Sequence, residues 1–450
     1  MPAIGDYGII GDCRSAALIS RDGSLDWLCW PRFDSPSLFA AILDPERGGL
    51  FRIAPAGDYT SSRRYMGETN VLETTFRTES GTLRLRDLMP AASEREKARD
   101  LWPDHQVLRA LDCVDGTVEV EVLCDPRPDF GRRMPRWRHP NPDRFTSEWR
   151  DGTLLVHGDI PLEMGPKPGL RGRIRLKAGE HRYVSICHSA GEPATIPASG
   201  EGAEERISMT LGWWTQWSEK CRYEGEWRDA VVRSALALKL LTYAPSGALI
   251  AAPTTSLPEK IGGTRNWDYR YCWLRDASMT LQTLFDLGYD REGAAYMSWL
   301  LHSTRLTRPK LGILYDVYGR IPPAEKALEH LEGYAGSRPV RVGNGARDQI
   351  QLDVYGEVVD ALYEYVQRGG ELNGDTRRMV RAFGEFVCKN WDQPDHGIWE
   401  IRSECRNHVH SRAMCWVALD RLLRLHESGH LKIPVKKFRE NRDAIAETIE

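Results

Sequence analysis

The sequence lacks several features that would assign it to a specialised class of protein. None of its ten cysteines forms a C-x-x-C pair, which argues against a zinc ribbon and against a disulfide framework. No apolar run approaches the roughly 18 residues of a membrane-spanning helix. The first residues have neither the basic nor the apolar stretch of a signal peptide. We therefore expect reduced thiols, no membrane and a cytoplasmic location.

An excess of charge of one sign is absent as well. The 61 Lys and Arg residues nearly balance the 64 Asp and Glu residues, which gives a net charge of −3. This balance argues against a nucleic-acid binder, whose surface would be strongly basic. With 41% hydrophobic and 28% charged residues, the 450-residue chain is an ordinary globular protein, long enough for two or three domains.

Phosphate-loop and serine-hydrolase motifs are missing too. The chain contains no G-x-x-x-x-G-K-[ST] and no G-x-S-x-G. His408 and His410 are close together, but side chains two positions apart on a helix point in different directions. We therefore expect no metal and no cofactor. The sequence is rich in tryptophan instead, with 15 residues whose ring planes suit sugar stacking and equally well fill large cores.

The periodicity of the chain changes near residue 205. Up to that point short alternating segments separated by turns predict an antiparallel β-sandwich, domain 1–205. The polar stretch 197–202 is typical of a linker, and we expect a linker helix over 206–225. From 226 to 450 helical periods dominate, with long loops over 244–273 and 304–345. Helical hairpins that lead into long loops predict an α/α toroid with a site at one rim.

Residues 265–276 give the strongest indication of a binding site. In this segment four aromatic residues alternate with two Asp and three Arg residues. A carboxylate accepts hydrogen bonds from two neighbouring sugar hydroxyls, a guanidinium donates to such a pair, and an aromatic face stacks on the ring. The same pattern also fits a helix-capping salt bridge with buried aromatic residues, and spacing does not separate the two interpretations.

A second polar set lies in residues 349–357. Gln349, Asp353 and Glu357 follow one another at intervals of four, which predicts one polar stripe on a helix. Gly356 interrupts the set and would permit close approach of another segment. A solvated helix face is an equally good interpretation.

A third set surrounds Glu400, in a loop with Pro and Gly. The carboxylate lies between Trp399 and Ile401, and apolar neighbours would raise its pKa, as a general acid near neutral pH requires. Arg402 would lower the pKa. A surface ion pair is the alternative interpretation.

In combination, these segments resemble glycoside hydrolase family 15, the group of glucoamylases, glucodextranases and bacterial trehalases. The resemblance covers the whole chain, and several blocks in the right order are far more specific than one. Its opening block includes Gly-Ser-Leu-Asp-Trp-Leu-Cys-Trp at 23–30. The blocks are residues 4–12, 23–36, 267–276, 333–344, 349–357, 397–402 and 414–421.

The resemblance implies an N-terminal β-sandwich followed by an (α/α)6 barrel, and inverting hydrolysis of terminal α-glucosidic bonds with release of β-glucose. It aligns Glu400 with the general acid of the family. It matches Arg275 and Asp276 with the pair that holds hydroxyls of the terminal glucose, Trp273 with a stacking residue, and Tyr269 with an aromatic residue near the reaction centre. The full expected substrate-binding set is Arg275, Asp276, Trp273, Tyr269, Asp268, Trp399, Arg402 and Glu357.

Two departures from the family pattern bear on the activity. Fungal glucoamylases have a second carboxylate directly after the acid, where this chain has Ile401. The base of the family belongs to a Glu-bearing loop near the end of the barrel, and no such segment precedes residue 450. Inversion needs two carboxyl groups roughly 6.5–9.5 Å apart. We therefore expect the base beyond residue 450 and a barrel whose C-terminal part is missing from this chain.

Three functional interpretations stay open at this point. The first is an inverting hydrolase whose partner is a small-molecule or oligosaccharide α-glucoside, either trehalose or a malto- or isomalto-oligosaccharide. The second is a disaccharide phosphorylase, which uses one carboxylic acid and phosphate as the nucleophile. The third is a sugar-binding protein without turnover. The sequence also allows a homo-oligomer.

Overall fold

The computed structural model describes residues 1–141, 143–149, 152–165, 169–189, 200–402 and 404–449. Residues 197–199 of the linker-like stretch therefore lie outside the described residues. The chain divides into two compact units that alternate along the sequence. The first unit comprises Met1–Leu241, Pro253–Trp267 and Leu328–Val340, and the second comprises Thr242–Ala252, Asp268–Ala327 and Arg341–Glu450. The domain boundaries at residues 205 and 225 stay predictions.

The first unit is built mainly from β-strands. Alternating sequences such as Thr-Leu-Arg-Leu-Arg at 82–86 form strands with one buried face, as the alternation predicts. Its strands are β1 (Gly8–Gly11), β2 (Ala16–Ile19), β3 (Ser24–Cys29), β4 (Ser37–Phe39), β5 (Leu50–Pro55), β6 (Thr60–Tyr65), β7 (Leu72–Arg77), β8 (Gly81–Leu88), β9 (His105–Asp125), β10 (Arg138–Asn141), β11 (Arg144–Trp149), β12 (Gly152–Gly158), β13 (Glu163–Met164), β14 (Leu170–Lys177) and β15 (His181–Ser189).

The strands form two antiparallel layers that share one long strand. The first half of β9 pairs with β8 and β15, and its second half pairs with β5 and β14. One layer runs β1-β2-β3-β5-β9-β14-β13, and the other runs β6-β7-β8-β9-β15-β12-β11-β10. Side chains from both layers, including Phe51 and Leu85, meet in one apolar core. The predicted antiparallel β-sandwich is therefore confirmed.

Three helices belong to the first unit and six to the second, among the described residues. Those of the first unit are α1 (Glu94–Arg99), α2 (Gly200–Ser218) and α3 (Arg228–Leu240). Those of the second are α4 (Leu274–Asp286), α5 (Asp290–Ser303), α6 (Asp353–Gln367), α7 (Gly374–Asn390), α8 (Val409–Glu427) and α9 (Val435–Ile449). Two short antiparallel ladders accompany them, β16 (Cys272–Trp273) with β17 (Leu314–Tyr315) and β18 (Lys326–Ala327) with β19 (Arg341–Val342).

The helices of the second unit alternate between two layers. Helix α6 packs between α4 and α8, while α5, α7 and α9 pack against the helices that neighbour them in the chain. This is the arrangement of helical hairpins in an α/α fold, and it confirms the predicted succession of a β domain by a helical one. Helix α6 begins at Asp353, and residues 345–348 form a separate 3-10 turn before it. Gln349 therefore lies outside the helix on which the sequence placed it. Within the part of the chain that the structure covers, no helix is long and apolar enough to cross a bilayer.

Candidate active site

The second unit brings several of the predicted residues together around Glu400. Trp273 ends β16, and Arg275 and Asp276 follow it in the first turn of α4. Glu357 lies on α6, which packs against α4. Glu400 lies in the loop that joins α7 and α8. Chain segments far apart in sequence therefore contribute to one cluster of polar side chains.

The carboxyl group of Glu400 is largely buried and hydrogen-bonded. Trp273 donates its indole N–H to Oε1 of Glu400 over 2.6 Å, and Nη2 of Arg275 lies 3.4 Å from the same oxygen. The side chain of Glu400 is 20% exposed. Burial raises the pKa of Glu400 above its ordinary value, against the opposing effects of Arg275 and the Trp273 hydrogen bond. The carboxyl group therefore keeps its proton to a higher pH than an exposed glutamate.

The sequence predicted a raised pKa for Glu400 for the wrong reason. Trp399 is 83% exposed and Ile401 is 40% exposed, so these neighbours do not bury the carboxyl group. Arg402 does not oppose the shift either, because its guanidinium forms two hydrogen bonds with Glu325, of 2.9 and 2.6 Å. Arg275, from another helix, is the cation that lowers the pKa of Glu400.

Arg275 connects most members of the group. Its Nη1 donates to the carbonyl of Ile398 over 3.1 Å, and its Nη2 lies 3.2 Å from Oδ2 of Asp276. The ring of Tyr269 packs on Trp273 with centroids 5.4 Å apart. Arg275 thus holds a carboxylate and the Glu400 loop at once, beside two aromatic rings.

Glu357 is a second buried carboxyl group near the same cation. It is 7% exposed. Burial and the neighbouring Asp353 raise the pKa of Glu357 to about 7, although Arg275 opposes the shift. Asp353 itself is fully buried, and its Oδ2 lies 3.8 Å from Nδ1 of His410. The predicted polar stripe holds for Asp353 and Glu357 but not for Gln349, which precedes the helix.

The structure does not bring Asp268 into this group, although the sequence predicted that it binds substrate. Asp268 is fully buried, and its carboxylate accepts hydrogen bonds from Arg270 of 2.8 and 2.7 Å and from the amide of Gly343 over 3.1 Å. Both carboxylate oxygens of Asp268 therefore accept hydrogen bonds from other parts of the protein. Of the two interpretations of residues 265–276, the internal salt bridge applies to Asp268.

The structure gives Gln349 a role that the sequence did not predict, and it adds Glu325 to the site. Gln349 donates its side-chain N–H to the carbonyl of Glu400 over 3.2 Å, from a segment that was expected to be helical. Glu325, which binds Arg402, lies 77 residues away from it in the chain. No local pattern marks Glu325, whereas the motif at 349–357 did indicate Gln349 without its role.

The sequence also contains His-Glu-Ser-Gly-His at 426–430, the spacing of a helical zinc motif. That motif needs both histidines on one face of a helix. Here α8 ends at Glu427, Gly429 has a φ of +83°, and Nδ1 of His426 lies 2.9 Å from the carbonyl oxygen of Leu431. The helical spacing that the motif requires is therefore interrupted before His430.

The chemistry of the group suits transfer of a proton to a neutral, hydroxyl-rich ligand. Glu400 supplies a buried carboxyl group with a raised pKa, and Arg275 and Asp276 place a hydrogen-bond donor and an acceptor side by side. Trp273 and Tyr269 supply aromatic surface.

Comparisons with known proteins agree on one family. Residues 225–450 match the model of the glycosyl hydrolases family 15, and residues 1–143 match the trehalase-like N-terminal domain. A trehalase of Mycolicibacterium smegmatis is 38% identical over all of this chain and 69% of its own length. A trehalase of Mycobacterium tuberculosis is 36% identical over 99% of this chain and 68% of its own length.

A solved structure shows the same fold. The crystal structure of a bacterial glucoamylase complexed with acarbose aligns with 98% of this chain at a TM-score of 0.64 and 10% sequence identity. This chain spans 65% of the length of that glucoamylase chain, slightly less than two thirds.

Proposed function

This chain belongs to the glycosyl hydrolases of family 15, and from that premise we propose that Glu400 is the general acid of an inverting α-glucoside hydrolase. In that role the carboxyl group of Glu400 gives its proton to the glycosidic oxygen as the bond to C1 breaks. A water molecule attacks C1 from the opposite face, which leaves glucose in the β configuration. In an inverting hydrolase a second carboxylate activates this water.

One observation carries the assignment of Glu400. Its carboxyl group is shielded from water, hydrogen-bonded by Trp273 over 2.6 Å, and has a raised pKa. A general acid must be protonated at the working pH, and burial provides that state. Arg275 opposes this rise in the pKa of Glu400.

The hydroxyls of the terminal glucose are proposed to bind Arg275, Asp276 and Glu357. The guanidinium of Arg275 and the carboxylate of Asp276 lie side by side, with donor and acceptor 3.2 Å apart. Glu357, with a pKa of about 7, can donate or accept a hydrogen bond near neutral pH. Trp273 and Tyr269 are proposed as stacking surfaces, and the exposed Trp399 as a contact for the leaving group. Arg402 was predicted to touch substrate, but its guanidinium is paired with Glu325, which favours another role.

Trehalose is the proposed substrate, because the relatives with 38 and 36% identity are named trehalases. A malto- or isomalto-oligosaccharide is the alternative substrate, supported by the likeness to a glucoamylase. The cytoplasmic location and the homo-oligomer also stay proposals. The first rests on ten cysteines without a disulfide in the described residues.

The experiment that tests the proposal is incubation of the full-length protein with trehalose, followed by proton NMR of the first product. We expect equal amounts of β-glucose, from the attacked residue, and α-glucose, from the leaving residue. Glu400→Gln should lower kcat by about 10²–10⁴-fold with little change in KM. The matched control is Glu371→Gln, because Glu371 is exposed in the loop between α6 and α7.

Full activity in Glu400→Gln would remove Glu400 from the mechanism. Formation of glucose 1-phosphate that depends on added phosphate would replace hydrolysis by phosphorolysis. Calorimetric binding of trehalose without any turnover would favour a sugar-binding protein.

A further inference from the structure

The loop that carries Glu400 is poorly fixed by packing. Trp399 and Ile401, on either side of Glu400, are 83 and 40% exposed, so they bury little apolar surface. Glu400 itself has a φ of +52°, a left-handed conformation that is uncommon for a residue with a side chain. Such a conformation persists only where surrounding contacts impose it. Something other than the hydrophobic effect must therefore hold this loop.

Hydrogen bonds hold the loop at three successive points. Before Glu400, Arg275 donates to the carbonyl of Ile398 over 3.1 Å. At Glu400 and Ile401, Gln349 donates to the two backbone carbonyls over 3.2 and 3.4 Å. After them, Arg402 forms its two-pronged pair with Glu325. A planar guanidinium with two parallel bonds to a carboxylate fixes direction as well as distance.

Glu325 is itself held firmly. Its side chain is 20% exposed and also accepts from Nε of Arg341 over 3.1 Å and from the amide of Gly345 over 3.0 Å. The adjacent ladder of β18 with β19 sets the positions of Glu325 and Arg341. Burial would raise the pKa of Glu325, but the bonds from Arg402 and Gly345 lower it below the ordinary value, so the carboxylate is ionised at neutral pH.

We propose that Glu325 is a positioning residue of the reaction, which acts through Arg402 to hold the carboxyl group of Glu400 against the glycosidic oxygen. Glu325 touches no reacting atom in this role. The inference rests on the proposed function, since it takes Glu400 as the general acid. It also gives Arg402 a place in the site other than the substrate contact that the sequence predicted.

Two substrates distinguish positioning from a general loss of structure. Trehalose needs a proton on its leaving oxygen, whereas α-glucosyl fluoride releases fluoride without one. Displacement of the general acid should therefore slow the hydrolysis of trehalose more than that of α-glucosyl fluoride. In Glu325→Gln we expect kcat for trehalose to fall about 10–100-fold, because displacement by about 1 Å can cost that much, while kcat for the fluoride changes little. Arg402→Lys keeps the positive charge but cannot form two parallel hydrogen bonds with Glu325. We therefore expect a fall in kcat for trehalose that is smaller than in Glu325→Gln.

Hydrogen exchange of the backbone amides of residues 397–402, followed by mass spectrometry, tests the same contact without any reaction. We expect faster exchange in Glu325→Gln. The matched control is Asp286→Asn, which removes the partner of Arg368, a 2.7 Å ion pair elsewhere in the second unit. Asp286→Asn should leave the exchange of residues 397–402 unchanged, and also the ratio of kcat for trehalose to kcat for α-glucosyl fluoride.

Unchanged exchange in Glu325→Gln would overturn the proposal, whatever the activity. An equal loss on both substrates would also overturn it, because it would show a structural role only. A full-length wild-type protein without activity on trehalose would instead refute the proposed function, and the exchange experiment would still decide whether Glu325 fixes the loop.

Discussion

Glu357 holds a carboxyl group in a place where its negative charge is costly. Water is nearly excluded, and the fully buried Asp353 lies one helical turn away on the same face of α6. Arg275 compensates only in part, since Asp276 and Glu400 share the same cation. With a pKa of about 7, Glu357 is partly protonated near neutral pH, which is a property that proton transfer can use.

The raised pKa of Glu357 predicts a pH-dependent loss of stability. Its pKa rises from an ordinary 4.5 to about 7 in the folded protein. A group with a raised folded pKa stabilises the fold fully below the unfolded value, and this contribution is lost as the pH rises through the folded value. Gln does not titrate, so Glu357→Gln does not lose this contribution. As the pH rises from 5 to 8, its free energy of unfolding should increase by about 2–3 kcal/mol relative to that of the wild type.

Urea unfolding at both pH values measures this difference. Glu371→Gln, in an exposed loop, provides the control and should track the wild type at both pH values. A constant difference between Glu357→Gln and the wild type across this range would show that Glu357 is ionised in the folded protein at pH 5.

At the level of elements, the contact between α6 and α8 sets the position of Asp353, Glu357 and His410. Gly356 makes this contact possible. A Cβ atom at position 356 would lie 2.2 Å from the carbonyl oxygen of Met414 on α8, which is backbone and cannot move aside. The sequence indicated that Gly356 permits close approach, and the structure identifies the partner.

Gly356→Ala should therefore separate α6 from α8. We expect a loss of about 1–3 kcal/mol in the free energy of unfolding, measured with urea, although alanine favours a helix over glycine. Gly374→Ala is the matched control at the start of α7, where an added Cβ meets only Nη1 of Arg378 at 3.9 Å. That control should be neutral or stabilising, and equal effects of the two substitutions would contradict the role given to Gly356.

At the level of the whole molecule, local patterns could predict the elements but not their grouping. The strands of the sandwich and the helices of the second unit, such as α9 (Val435–Ile449), follow from periodicity alone. The predicted polar stripe was wrong at Gln349, because this residue lies before the start of α6 at Asp353. The segments 253–267 and 328–340 carry no periodicity, so nothing local shows that they return to the first unit. The pairing of Glu325 with Arg402 was hidden for the same reason.

These returning segments make a prediction about the boundary at residue 225. Within the first unit, Trp27 donates its indole N–H to the carbonyl of Pro253 over 2.8 Å, and Asn70 donates to the carbonyl of Leu236 over 3.1 Å. A fragment that ends at residue 225 loses both acceptors and the segments that carry them. Water can then reach the two donors, so each lost hydrogen bond costs about 0.5–1.5 kcal/mol.

We therefore expect the fragment 1–225 to unfold at a lower temperature than a fragment 1–241, which restores α3 and the acceptor of Asn70. At about 2–4 °C per kcal/mol for a unit of this size, the difference should reach several degrees. Thermal unfolding followed by far-ultraviolet circular dichroism measures it. Identical cooperative transitions in the two fragments would show that the sandwich is complete at residue 225, because α3 would then add nothing to the stability of the strands.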